Sequence, residues 1–161
     1  MPSFQFEGYI LRPAHESDLP MAREWNAADP DHAWELTQDR FWIEQGRRGG
    51  TLINSFLLWD EQGPVFFFRA EVPAGARSVE VSIQFNRSDR PTPLWRTMNG
   101  MLVGERWLRG MLAKNGIRTI FFNSKSPRLI RFAQHRLEFR EVWNEDAESR
   151  AAGFRRFRKE F

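Results

Sequence analysis

The sequence predicts an α/β fold, one domain over residues 1–161 in which strands and helices are interspersed. Three observations carry this. Residues 78–85 alternate strictly, with Val79, Val81, Ile83 and Phe85 on one face and Glu80, Ser82 and Gln84 on the other, the two-residue period of a strand. After a short loop, Met98, Met101, Leu102, Leu108, Met111 and Leu112 fall on one stripe of a long helix, with Arg96, Glu105 and Arg109 among its polar positions. Along the chain the elements read β-α-α-β-β-β-α-β-α-β-β, an order that belongs to neither an all-helical nor an all-strand protein. A chain of 161 residues is long enough to bury a substantial core, and no internal repeat or long linker divides it.

Each element has its own signal. Residues 6–12 read as a first strand closed by Pro13. A short helix follows, with Ser17 or Asp18 as cap and Pro20 in the first turn, running to Trp25 or Asn26 before Asp29 and Pro30 break it. Residues 32–45 carry Trp34, Leu36, Phe41, Trp42 and Ile43 and read as a second helix, ended by Gly46 and the pair Gly49-Gly50. Two β-prone runs, 51–59 and 65–72, flank a turn at 60–64 and so form a hairpin. Pro73-Ala74-Gly75-Ala76 turns the chain into the alternating strand at 78–85. A proline-bearing loop at 86–93 precedes the long helix, which ends near Asn115-Gly116. Residues 117–122 read as a short buried strand. Asn123-Ser124-Lys125-Ser126-Pro127 then starts a helix with Leu129, Ile130, Ala133 and Leu137 on one face. Residues 139–143 and 154–161 are the last strands, separated by the polar stretch 144–153.

Composition excludes several kinds of chemistry. Without cysteine there are no disulfides, thiolate metal sites or cysteine nucleophiles, which is compatible with a reducing cytoplasm, the expected location. The apolar runs are too short to span a bilayer, and no basic segment followed by an apolar one opens the chain, so neither a membrane nor secretion is expected. His15, His32 and His135 lack the spacing of metal ligands, and no P-loop, dinucleotide glycine fingerprint or nucleophile elbow occurs. The net charge of +3 is carried by arginine and suits either a phosphate-bearing ligand or a solvated surface. Nucleic acid is the least favoured partner, because the aromatic residues fall at core-like periods instead of interleaving with arginines. The aromatic run at 65–68 leaves room for a homodimer interface.

Three motifs in matching order resemble the GNAT family of acyl-CoA N-acyltransferases. Ile10-Leu11-Arg12-Pro13-Ala14 followed by Asp18-Leu19-Pro20 resembles the family's first strand and helix start. Asn115-Gly116-Ile117-Arg118-Thr119-Ile120 resembles its passage from the long helix into a strand. Residues 123–139, ending Leu137-Glu138-Phe139, resemble its late helix and closing Leu-Gly-Phe, with Glu138 in place of the glycine. The resemblance covers nearly the whole chain and implies a central mixed sheet flanked by helices, in which two neighbouring parallel strands splay apart.

It also implies a site. Acetyl-CoA, or another acyl-CoA, would be the co-substrate and a small-molecule or peptide amine the acceptor. Ile83, Gln84 and Phe85 would pair with the pantetheine arm, against an opening formed with residues 117–122. Arg90, Arg96, Thr97 and Asn123 would complete the cofactor site, with the pyrophosphate at the N-terminus of the long helix. The loop departs from the family, however. Where closely spaced glycines are usual it has Pro91 and Pro93, and Gly100 and Gly104 come too late. Glu80 is the candidate general base, since its side chain shares the polar face of the strand lining the cleft. The family's late-helix tyrosine is missing; Tyr9, Ala133, Gln134 and His135 are the nearest replacements by position or chemistry. Trp25, Trp34 and Trp42 either pack the core or border an acceptor pocket. A non-catalytic binding or structural protein of the same fold is the alternative reading.

Overall fold

Turn chemistry and strand alternation gather the strands into one mixed sheet with helices on both faces. The computed structural model describes residues 3–29, 31 and 40–161. Strands β1 (Phe4–Phe6) and β2 (Tyr9–Pro13) form a hairpin through Glu7 and Gly8, both in the left-handed region at φ 50° and 81°. That pair of positive angles is what a type I′ two-residue hairpin turn requires. The single strand predicted at 6–12 is therefore two, because only one glycine announces the turn. A 3-10 turn at Glu16–Asp18 leads into α1 (Leu19–Ala27), with Pro20 in its first turn. Asp18 does not cap α1 with its side chain. Its carboxylate takes both arms of Arg12 at 2.8 Å and the His15 N–H at 2.8 Å.

The predicted helix at 32–45 lies outside the described residues from 32 to 39. Its end is corrected: residues 40–43 form a turn, and β3 (Gln45–Arg48) pairs with β4 (Thr51–Asp60). β3 is polar and exposed, an edge ribbon without a hydrophobic signal. β4 and β5 (Gly63–Val72) form the predicted hairpin, followed by β6 (Ser78–Phe85) and α2 (Leu94–Lys114). Strand β7 (Thr119–Ser124) starts two residues later than predicted. Gly116, at φ 74°, turns the chain so that the Ile117 N–H returns to the Leu112 carbonyl at 3.0 Å, which makes Ile117 part of the helix end. Then come α3 (Pro127–Arg136), β8 (Arg140–Val142), a short α4 (Ala147–Ala151) inside the predicted polar stretch, and β9 (Arg155–Glu160).

The sheet order is β1-β2-β4-β5-β6-β7-β9-β8, with β3 also on β4. Among the described residues all pairings are antiparallel except β6 with β7. Helices α2 and α3 cover one face over a core that includes Phe66, Phe68, Val79, Leu108, Ile120 and Phe157. The other face carries α1 and the 40–43 turn, where Trp25, Trp42 and Ile43 pack on Leu57 and Phe67. Trp25 meets Phe67 edge-on at 5.4 Å.

Candidate active site

The parallel seam between β6 and β7 closes for only three residue pairs: Ser78 with Thr119, Val79 with Ile120, and Glu80 with Phe121. Both strands continue beyond it. β6 stays paired with β5 as far as Phe85, and β7 stays paired with β9 as far as Ser124. Each strand thus keeps its outer ladder while the inner one opens, leaving residues 81–85 with an unpaired backbone edge. A sheet interior rarely leaves such groups without partners, so the edge is a ready-made place for an extended amide chain. A cavity of about 720 Å³ fills this wedge and the space between it and helices α2 and α3.

Several expected site residues line that cavity. Glu80, Ile83 and Phe85 come from β6, and Asn123 from β7. Gln84 instead points to the other face and is fully buried, donating to Asp29 Oδ2 at 3.0 Å and the Trp25 carbonyl at 3.4 Å. Only its backbone belongs to the wedge, because α1 covers that end of the polar face. Arg90 is exposed on the 86–93 loop, which Asn86 organises by donating to the Arg90 carbonyl at 3.0 Å and to Thr92 Oγ1 at 3.2 Å. Arg96 and Thr97 are buried. The Arg96 guanidinium is occupied by Asp60, and the Thr97 hydroxyl donates to the Pro93 carbonyl at 3.4 Å. Neither side chain is presented to the wedge.

Glu80 sits at the mouth with its side chain 41% exposed. It accepts from both terminal nitrogens of Arg156, whose Nη1 also donates to Asn123 Oδ1 at 3.1 Å and whose guanidinium lies 4.2 Å from the centre of the Phe121 ring. These charge-assisted bonds fix the carboxylate beside the opening. The face that α3 turns to the cavity is apolar, with Leu129 and Ala133. His135 is exposed, and Tyr9 is on β2, with β4 and β5 between it and the wedge strand β6. Burial, and then the nearby Asp60 carboxylate, push the Tyr9 phenol above its ordinary pKa.

Sequence reasoning missed Ser82, Ser124 and Ser126, which line the cavity. Ser82 shares the alternating face with Glu80 and was findable that way. Ser124 and Ser126 look like cap residues in sequence, and indeed Ser124 Oγ accepts the Ser126 N–H at 3.1 Å and Ser126 Oγ the Leu129 N–H at 3.4 Å. Among the described residues there is no cluster of three or more histidine or acidic side chains able to hold a metal ion, and no helix long and apolar enough to cross a membrane.

No family model and no curated protein matches the sequence. Solved structures do match the architecture over nearly its whole length. A spermidine N-acetyltransferase chimera of the Vibrio cholerae enzyme and hSSAT is 15% identical, with 96% of each chain covered and a TM-score of 0.66. An acetyltransferase from Agrobacterium tumefaciens is 12% identical over 100% of this chain and 95% of its own, at TM-score 0.65. The GNAT domain of S. lividans PAT is 9% identical over 99% and 96%, at TM-score 0.63. The fold is that of the GNAT acyltransferases.

Proposed function

We propose that this protein is an N-acyltransferase that carries an acetyl-like group from acyl-CoA to an amine. The observation behind the proposal is the seam that opens after Glu80 and Phe121 and leaves the edge of residues 81–85 facing a cavity. The pantetheine arm would extend its amides along that edge, Ile83 and Phe85 flanking it. The phosphates would lie outside the cavity against the start of α2, where the first N–H groups precede any intrahelical acceptor and Pro93 supplies no side-chain cap, with Arg90 beside them.

The reaction needs little machinery. The amine nitrogen attacks the thioester carbonyl carbon; a C–N bond forms, the C–S bond breaks, and CoA leaves as a thiolate that water protonates. Glu80 takes the proton from the attacking nitrogen, directly or through water. A backbone N–H on the open edge of β6 stabilises the oxyanion. Carboxylates outnumber cations on the cavity wall, with Asp29, Asp31, Asp146 and Glu148 joining Glu80 against Arg87 and Lys125, a balance that draws a protonated amine.

A second reading, a binding protein that has kept the fold without the reaction, is favoured by the loop. Pro91 and Pro93 withhold two N–H donors from the phosphate position, and Arg96 is engaged elsewhere. Titration calorimetry with CoA and acetyl-CoA, followed by thioester turnover against an amine panel, separates the two. Binding with turnover supports the enzyme, binding without turnover the second reading, and no binding at high micromolar cofactor removes the first.

A further inference from the structure

The cavity is larger than the wedge demands. The open seam lies between β6 and β7, yet the cavity wall also includes Phe66 and Phe68 of β5, one strand further away, and Met101, Gly104 and Leu108 from the sheet-facing side of α2. All of these except Gly104 are buried core side chains, and no charged group stands among them. An arm paired to the edge of β6 has no use for space beneath α2, because nothing there can bond to its amides.

Two glycines one turn apart show how the space arises. At Gly100 the helix touches the sheet: an added Cβ would lie 2.8 Å from Leu58 Cδ2 and 3.1 Å from Phe66 Cε1. At Gly104 an added Cβ would meet, among the described residues, Phe66 Cζ alone within 4 Å, at 3.8 Å. A side chain there would touch Phe66 in ordinary contact and otherwise enter the cavity, so its absence adds to the open space. Gly104 has no positive φ to justify a glycine, and a glycine inside a helix costs stability relative to alanine. Glu105 also lines the cavity, and its carboxylate is taken by Lys159 Nζ at 2.8 Å, a closed ion pair.

We propose that this extension receives the acyl group of the donor, and that the donor's acyl group is an aliphatic chain longer than acetyl. The inference rests on the acyltransferase reading and narrows its substrate class, with a longer chain in place of the acetyl-like group. With the thioester carbonyl at the mouth of the wedge, the chain would run between Phe66, Phe68 and Met101 towards Leu108. The bond changes are those given above, since the chain takes no part in them.

Calorimetry with CoA and with acetyl-, butanoyl-, hexanoyl- and octanoyl-CoA tests the idea. Affinity should rise by about four-fold for each methylene buried, until the space is full. Gly104→Leu should cut the ratio of octanoyl-CoA to acetyl-CoA affinity at least ten-fold, with Gly104→Ala, which is safe for folding, giving a smaller loss in the same direction. If all the thioesters bind within two-fold of acetyl-CoA, the acyl pocket is refuted while the acyltransferase reading stands. The pocket is equally refuted if Gly104→Leu melts like the parent and keeps its chain-length profile. If neither CoA nor any thioester binds, both readings fall together.

Discussion

Arg96 donates from Nε and Nη2 to the two oxygens of Asp60, both at 2.6 Å, tying the first turn of α2 to the tip of the β4–β5 hairpin. Both side chains are nearly buried, and Asp60 also accepts the Gln62 N–H at 2.8 Å. This arginine holds in place the helix start against which the phosphates are proposed to lie. Burial pushes the Asp60 carboxyl up, but the Arg96 and Gln62 hydrogen bonds outweigh it and leave the pKa below its ordinary value. The folded state therefore binds the proton less readily than the unfolded chain. The pair's contribution is fully present above the unfolded carboxylate pKa of about 3.9 and is lost as pH falls through the lowered folded value. Asp60→Ala leaves a buried guanidinium unpaired and should cost about 3 kcal/mol at neutral pH in urea melts. That deficit should shrink when the melts are repeated at the acid end. A constant deficit across the series would show that Asp60 acts by packing alone.

Gly100 and Gly104 predict opposite responses to one change. Gly100→Ala gains helix propensity of about 1 kcal/mol but drives a methyl against Leu58, Phe66 and Val65, an overpacking cost of about 1–3 kcal/mol. Gly104→Ala gains the same propensity and, among the described residues, meets nothing closer than 3.8 Å. Thermal melts should show the first variant less stable than the parent and the second more stable. Equal shifts would mean that α2 packs evenly along its length.

The strands legible in the sequence were those whose two faces meet different surroundings. β6 alternates because Val79 enters the α2 core while Glu80 and Ser82 face the opposite side, and its limits match the alternation. β4 and β5 read as continuous apolar runs because helices cover both faces. β3 gave no such signal, since both its faces are exposed and its register comes from the Gly49-Gly50 turn. α4 was invisible for another reason: five residues cannot show a helical period, and only the Asp146 carboxylate accepting the Glu148 and Ser149 N–H groups marks its start. Within the site, alternation identified which residues lie on β6 but not what covers them. That is why Gln84 looked available, although α1 and Asp29 enclose it. Arg96 looked like a free cation because its partner Asp60 is 36 positions away.

Arg69 predicts a local effect. Its side chain is 1% exposed, donates to Glu71, to Glu44 Oε2 at 2.8 Å and to the Phe41 carbonyl at 2.7 Å, and lies 3.9 Å from the centre of the Phe41 ring. One guanidinium thus binds the 40–44 segment to the middle of β5. Arg69→Met removes the charge and the fork together and should cost about 3 kcal/mol, because Glu71 and the Phe41 carbonyl lose this donor and Glu44 is left with Arg48 Nη2 at 3.2 Å. Hydrogen exchange should quicken first at residues 40–48, ahead of β4 and β5. Uniform loss of protection would assign Arg69 to the general core and not to this segment.

The reading of Glu80 as general base separates activity from stability. Its carboxylate bonds Arg156 at a partly exposed position, and such pairs contribute under about 1 kcal/mol. Glu80→Gln keeps the shape and a hydrogen-bond acceptor but cannot take a proton, so the melting midpoint should barely move. Turnover of acyl-CoA with a responsive amine should fall by about 100-fold or more, the usual contribution of a positioned base. The loss should fall on kcat, since the donor's arm is proposed to pair with the backbone of residues 81–85 and not with this side chain. A Glu80→Gln protein that binds acyl-CoA and turns over at the parent rate would move the base elsewhere on the wall. A protein that loses donor binding instead would make Glu80, with Arg156 and Asn123, part of the structure that holds the wedge open.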